Sequence, residues 1–166
     1  MAEAVSKVEI MGVEISVFSH ATEDEAKVER AVKKLIPKDA SGIRLDRRLL
    51  SGHHNDPITL ITTTIRKKKD VAHMLHQTIK RLPTVEQMRL LDELENRTDK
   101  AGNMYIRLDK QKALKGQRAL MEIDPIRLKF RFRIPHKASP LEYIRTTLTR
   151  IMEEKTCSNE NRSQKQ

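Results

Sequence analysis

Residues 124–137 read Asp-Pro-Ile-Arg-Leu-Lys-Phe-Arg-Phe-Arg-Ile-Pro-His-Lys, and no other stretch limits the fold so tightly. Ile126, Leu128, Phe130, Phe132 and Ile134 alternate without a break with Arg127, Lys129, Arg131 and Arg133. Successive side chains of a β-strand point to opposite faces, so the pattern predicts a strand with one apolar and one cationic side. Pro125 and Pro135 bracket the run and set where pairing starts and stops. The apolar side has to bury. On the other side the cations recur about 6.5–7 Å apart, the rise of two strand residues. That spacing suits neighbouring phosphates. A solvated outer face is the plainer alternative, but such a face usually mixes both charge signs. Four like charges in register favour a polyanion as their cover.

The rest of the charge points the same way. The 166 residues hold 33 Lys and Arg against 23 Asp and Glu, a net charge of +10. Segments 66–69, 107–118 and 126–137 carry 14 of the bases and one acid, Asp109, which leaves 19 bases against 22 acids elsewhere. The excess is therefore local, the first mark of a nucleic-acid footprint. The length suits one domain, 1–154, with a real core. Residues 155–166 lack any core-forming pattern and are expected to be disordered. The single cysteine, Cys157, excludes a disulfide framework. No apolar run is long enough to cross a bilayer, and Met1–Lys7 has no signal-peptide pattern, so the cytoplasm is the default location. The high Lys, Arg and Glu content is compatible with a thermophile.

Taken in order, the chain predicts a strand over Val8–Phe18 and a helix opened by a Thr22/Glu25 capping box and closed at Pro37. A short strand is expected at Ile43–Leu45 and a turn over 51–57. A Thr-rich strand follows over Ile58–Arg66 and runs into Arg66, Lys67, Lys68 and Lys69. Asp70 is placed to cap a helix to Arg81, and Thr84/Gln87 to open another to Asn96. Met104–Leu108 alternates as a strand, Asp109–Lys115 reads as a helical turn, and Leu120–Ile123 as a brief strand. A last helix starts at Ser139 and Pro140. Strands that follow one another without a helix between them argue for an α+β fold. Its sheet would be antiparallel or mixed, with helices on one face and the other face open and basic.

Three segments resemble an archaeal family of predicted RNA-binding proteins, sometimes described as exosome subunits. They are Leu-Leu-Ser-Gly-His-His-Asn-Asp-Pro-Ile at 49–58, Met-Tyr-Ile-Arg-Leu-Asp-Lys-Gln at 104–111 and Asp-Pro-Ile-Arg-Leu-Lys-Phe at 124–130. Their order and spacing extend the resemblance over residues 7–154. It implies a fold similar to that of the ribosomal protein that contacts 5S rRNA. The chain departs from the family pattern at Ser51, where the pattern has an acid, and at Asn55-Asp56, where it has Gly-Asn.

The expected interface comprises Arg127, Lys129, Arg131 and Arg133, supported by Arg66, Lys67, Lys68, Lys69 and Arg107. Arginine forks grip phosphate in two places, whereas lysine acts as a point charge. Aromatics are 3% of the chain. Tyr105 alone is placed to stack on a base, and a single-strand platform needs several such rings. Structured RNA, held by phosphate and shape contacts, is the expected partner, with RNA-processing or ribosomal proteins beside it. His53 and His54 sit in a turn near the basic segments and could touch that RNA. A turn held by Asn55 or Asp56 is their structural alternative. No glycine-rich phosphate loop, metal-ligand spacing or nucleophile set stands out, so no cofactor, metal or catalytic residue is expected. Two other functions fit less of the sequence. One is an interaction subunit docking an acidic protein surface. The other is a metal-dependent RNA hydrolase using His53, His54 and Asp56.

Overall fold

A computed structural model describes residues 9–154. The expected disordered tail, with Cys157, and the start of the chain lie outside the described residues. Five strands form one sheet: β1 (Ile10–His20), β2 (Asp46–Ser51), β3 (Pro57–Ile65), β4 (Asn103–Leu108) and β5 (Ile126–Phe132). Their order is β2-β3-β1-β5-β4, and every pairing is antiparallel. Among the described residues six helices accompany it: α1 (Glu25–Leu35), α2 (Lys68–Arg81), α3 (Thr84–Asp92), α4 (Leu94–Arg97), α5 (Lys110–Leu114) and α6 (Pro140–Glu153). The helices cover one face of the sheet and leave the other open, the α+β arrangement that the alternating strands imply.

Alternation explains the layers. Val13, Ile15 and Val17 of β1 turn inward with Leu128 and Phe130 of β5 and Met104 and Ile106 of β4, all essentially excluded from water. They meet Val71, Met74, Leu75 and Ile79 of α2 and Ile144, Leu148 and Ile151 of α6. Each such side chain contributes about 1.5–3 kcal/mol by leaving water. Strand β1 carries a bulge at Gly12, where the β1–β5 register shifts between Ile10 and Gly12.

Several boundaries differ from the sequence reading. The strand expected at Ile43–Leu45 lies at Asp46–Ser51, one arm of a hairpin whose tip is 52–56. Asn55 in that tip has φ 59°. Glycine enters this left-handed region freely, and asparagine is among the few other residues that tolerate it. This accounts for Asn55 where the family pattern has glycine. Asp24, rather than Thr22, caps α1, accepting from Ala26 N at 3.0 Å. Helix α2 begins two residues before Asp70, with Lys67 at the cap. Gln87 does not close a capping box; its Nε2 donates to Ile79 O at 2.8 Å and ties α3 to the end of α2. The helix expected to Asn96 breaks at Glu93 into α3 and α4. Leu120 makes a single bridge to Leu108 instead of a strand.

Candidate nucleic-acid interface

Strand β5 builds the open face. Phe130 is 0% exposed, so its neighbours Lys129 and Arg131 are driven outward with Arg127. Strand β1 lies on one side, pairing Ser16 with Arg127, Glu14 with Lys129 and Gly12 with Arg131. Strand β4 lies on the other, pairing Arg107 with Arg127, Tyr105 with Lys129 and Asn103 with Arg131. The structure thus brings Arg127, Lys129, Arg131, Tyr105 and Arg107 into one patch. Arg133 follows one residue beyond β5, exposed, with its backbone N–H donating to Glu9 O at 2.8 Å.

The four cations are not a bare row. Arg131 Nη2 donates to Glu14 Oε2 at 2.6 Å, and Lys129 Nζ lies 3.6 Å from the same oxygen. Arg133 pairs with Glu9 at 3.5 Å, and Arg107 with Glu122 at 3.5 Å. The hydrogen bond from Arg131 holds the Glu14 carboxyl below its ordinary pKa. The repulsion inferred from β5 alone is therefore relieved by acids that neighbouring segments supply. Arg127 differs: among the described residues it has no carboxylate partner, and its guanidinium lies 4.7 Å from the Tyr105 ring centroid. This cation–π contact stabilises by about 0.5–1 kcal/mol at a wet site. Facing Arg107 across the pairing costs a comparable amount. The Tyr105 hydroxyl donates to Asp99 Oδ2 at 3.2 Å, so the ring is held at its edge while a cation covers its face. Burial pushes the Asp99 carboxyl up, but hydrogen bonds from Asn103, Ala101 and Tyr105 outweigh it and hold the pKa below the ordinary value.

The remaining expected residues separate. Ile65 pairs with Val13, so Arg66 leaves β3 level with Gly12 and Arg131, two strands across. Lys67, Lys68 and Lys69 turn away into the start of α2. His53 and His54 stand at the hairpin tip, where Ile58 pairs with His20, at the opposite end of β1 from Arg66. Their ring centroids are 6.3 Å apart. The turn is therefore not beside Arg66–Lys69 as the sequence order suggested.

The sequence reading also missed a polar cluster. Lys110, 9% exposed, donates from Nζ to Phe18 O at 2.6 Å, Asp124 Oδ2 at 2.8 Å and Glu23 at 3.1 Å. His20 Nε2 lies 3.1 Å from Asp124 Oδ1. His20, Glu23 and Asp124 are the one group among the described residues that could share a metal ion. The Lys110 ammonium already supplies the positive charge between its carboxylates. Lys110 belongs to segment 104–111, Asp124 to segment 124–130, and Ile58 beside His20 to segment 49–58. The three segments that carry the family resemblance thus converge here, and that convergence was the available signal. Phe18, 45% exposed on the open face, was the other omission.

Fold and face together define a class: a one-sided antiparallel α+β protein with a cationic open sheet. The chain belongs to the family described as RNA binding, whose model matches residues 12–132. It is 28% identical over 138 residues to RNA-binding protein PAB1135 of Pyrococcus abyssi, spanning 82% of this chain and 88% of that one. Among solved structures it is similar to protein AF2318 from Archaeglobus fulgidus, at TM-score 0.72 and 26% identity, covering 84% of this chain and 99% of that one. It is also similar to Mth689, a DUF54 protein from Methanothermobacter thermautotrophicus, at TM-score 0.68 and 26% identity over 86% and 98% of the two chains. No helix among the described residues is long and apolar enough to cross a membrane.

Proposed function

We propose that this protein binds structured RNA through the open face of its sheet, without catalysing a reaction. It would serve as an accessory factor in RNA processing, the exosome's included, or in ribosome assembly. One observation carries the reading: Arg127, Lys129 and Arg131 stand on an uncovered face, on a strand whose other side is fully packed. A packed strand holds its cations in fixed register, so little ordering entropy is lost when phosphates arrive. Arg107 and Arg66 extend the positive region at either side. The covered Tyr105 ring leaves little base stacking in the basic patch itself, which favours phosphate and shape contacts over base readout. Family membership supports RNA as the polyanion.

Fluorescence anisotropy of a structured RNA across a salt series tests this. Four or five phosphate contacts give a slope of log affinity against log salt of about −3 to −5. Arg127→Glu/Arg131→Glu is expected to weaken binding by about a hundredfold, the loss of roughly two charge-assisted contacts, with an unchanged circular dichroism spectrum. Tight binding that survives the double substitution moves the interface off β5. No binding at low salt removes RNA as the partner.

A further inference from the structure

Among the described residues two arginines are buried, and they are treated differently. Arg97 Nη2 donates to Glu93 at 2.6 Å and to Glu122 at 2.8 Å. Arg118, 4% exposed, forms no ion pair with any described carboxylate. Its Nη1 and Nη2 make only long contacts, 3.3 Å each, to Gln117 O and Lys34 O, and its Nε finds no acceptor among the described residues. A buried charge lacking a counter-charge is the costly arrangement. Burial, and the nearby positive charge of Arg81, pull its pKa down to about 10. Arg81 also lacks a described carboxylate and donates to Gly116 O at 3.2 Å.

Arg118 lines a cleft of about 650 Å³ between the C-terminal ends of α1 and α2 and the turn after α5. Arg30, Lys33, Lys34, Lys38 and Arg81 surround it, against one acid, Asp39. Cations in the last turn of a helix complement its dipole, which accounts for Lys33, Lys34 and Arg81. It does not account for burying Arg118 beneath them. Ile36 and Pro37 add an apolar wall. The volume falls within the range of small-molecule sites.

We propose that this cleft is a phosphate-monoester site sized for a nucleotide, with Arg118 as its buried anion contact and Lys33, Lys38 and Arg81 at its rim. It lies in the helical layer, away from the open sheet face, and does not rest on the RNA reading above. The same chemistry has two sources, a free nucleotide or the terminal phosphate of an RNA.

The test is calorimetric titration at low salt with AMP, inorganic phosphate and adenosine. AMP is expected to bind saturably at one site and adenosine not at all. Arg118→Met removes the buried contact, and Lys33→Glu/Lys38→Glu alters only exposed rim residues, so folding does not confound the second variant. Each is expected to weaken AMP binding by about tenfold or more, as losing one charged hydrogen bond does. Arg127→Glu/Arg131→Glu is expected to leave AMP binding unchanged. Comparing 5′-phosphorylated with 5′-hydroxyl RNA separates the sources: a preference for the phosphorylated end that AMP competes away assigns the terminal phosphate, and equal affinity assigns the free nucleotide. The proposal is overturned if neither AMP nor inorganic phosphate binds and both RNA ends behave alike. AMP binding that persists undiminished in the rim variant overturns it equally.

Discussion

Glu14 is the acid that moderates the open face, because it shares one carboxylate oxygen between Arg131 at 2.6 Å and Lys129 at 3.6 Å. An incoming phosphate has to compete with it for both cations. Its pKa is depressed below the ordinary glutamate value of 4.5, chiefly by the Arg131 hydrogen bond. The contribution of this pairing to stability is accordingly present above the unfolded-state pKa and is lost as the pH falls through the lower folded value. Carboxyl-carbon NMR titration is expected to place the Glu14 midpoint below 4.5 and to return it toward 4.5 in Arg131→Gln. Glu14→Gln is expected to tighten RNA binding and steepen its salt slope by about one unit, since one more cation becomes available to phosphate. An unchanged slope means that the Glu14 pairing does not compete with the ligand.

At the scale of the element, β5 divides its labour by face. Phe130→Ala is expected to cost about 3–5 kcal/mol, the loss of a buried aromatic plus the cavity it leaves, read as a lower denaturation midpoint. Arg127→Gln touches no core atom and is expected to change stability by less than about 0.5 kcal/mol while weakening RNA binding. If the two effects are not separable in this way, the strand is not acting as a rigid carrier of charge. This element was legible in the sequence because a strand buried on one face writes its period of two directly into residue types. Strand β2 was misplaced for the converse reason: Asp46–Ser51 is an edge strand with exposed residues on both sides, which leaves no alternation to read. Thr22, Asp24 and Glu25 all offer cap chemistry within a few residues, so the start of α1 was recognisable as a region but not as an atom. The acids that neutralise the basic row come from β1, residue 9 and the loop before β5, and a one-dimensional charge count cannot assign them. Neither Lys110 nor Arg118 left a local periodic pattern, although Lys110 lies in one of the segments that carry the family resemblance. Each is a single base buried by contacts distant in the chain: Lys110 meets Glu23 across 87 positions, and Arg118 meets Lys34 across 84.

Across the whole molecule, the open sheet has to hold its shape without helices on that side, and the Lys110 cluster is one means of doing so. It fastens the end of β1 through Phe18 O and Glu23, the start of α5 through Lys110 itself, and the turn before β5 through Asp124. Asp124 has φ 48°, a left-handed conformation that aspartate tolerates and that its hydrogen bonds to Lys110 and His20 help to hold. Removing one member of a buried charged pair costs about 3–5 kcal/mol when the other is left stranded. Glu23 and Asp124 retain partial access to water, so Lys110→Ala is expected at the low end, about 3 kcal/mol. Denaturant unfolding is expected to show a lower midpoint with an unchanged slope, the sign of lost stability in a still two-state protein. Hydrogen exchange is expected to rise first around residues 18–23 and 109–126, because those segments lose their common anchor. Folded Lys110→Ala is expected to retain the steep salt dependence of RNA binding, since the β5 cations keep their packed strand. Lost stability with retained binding separates the anchor from the interface. A cost below about 1 kcal/mol, as for an exposed ion pair, means that the ammonium is hydrated and the three segments are held together by packing alone.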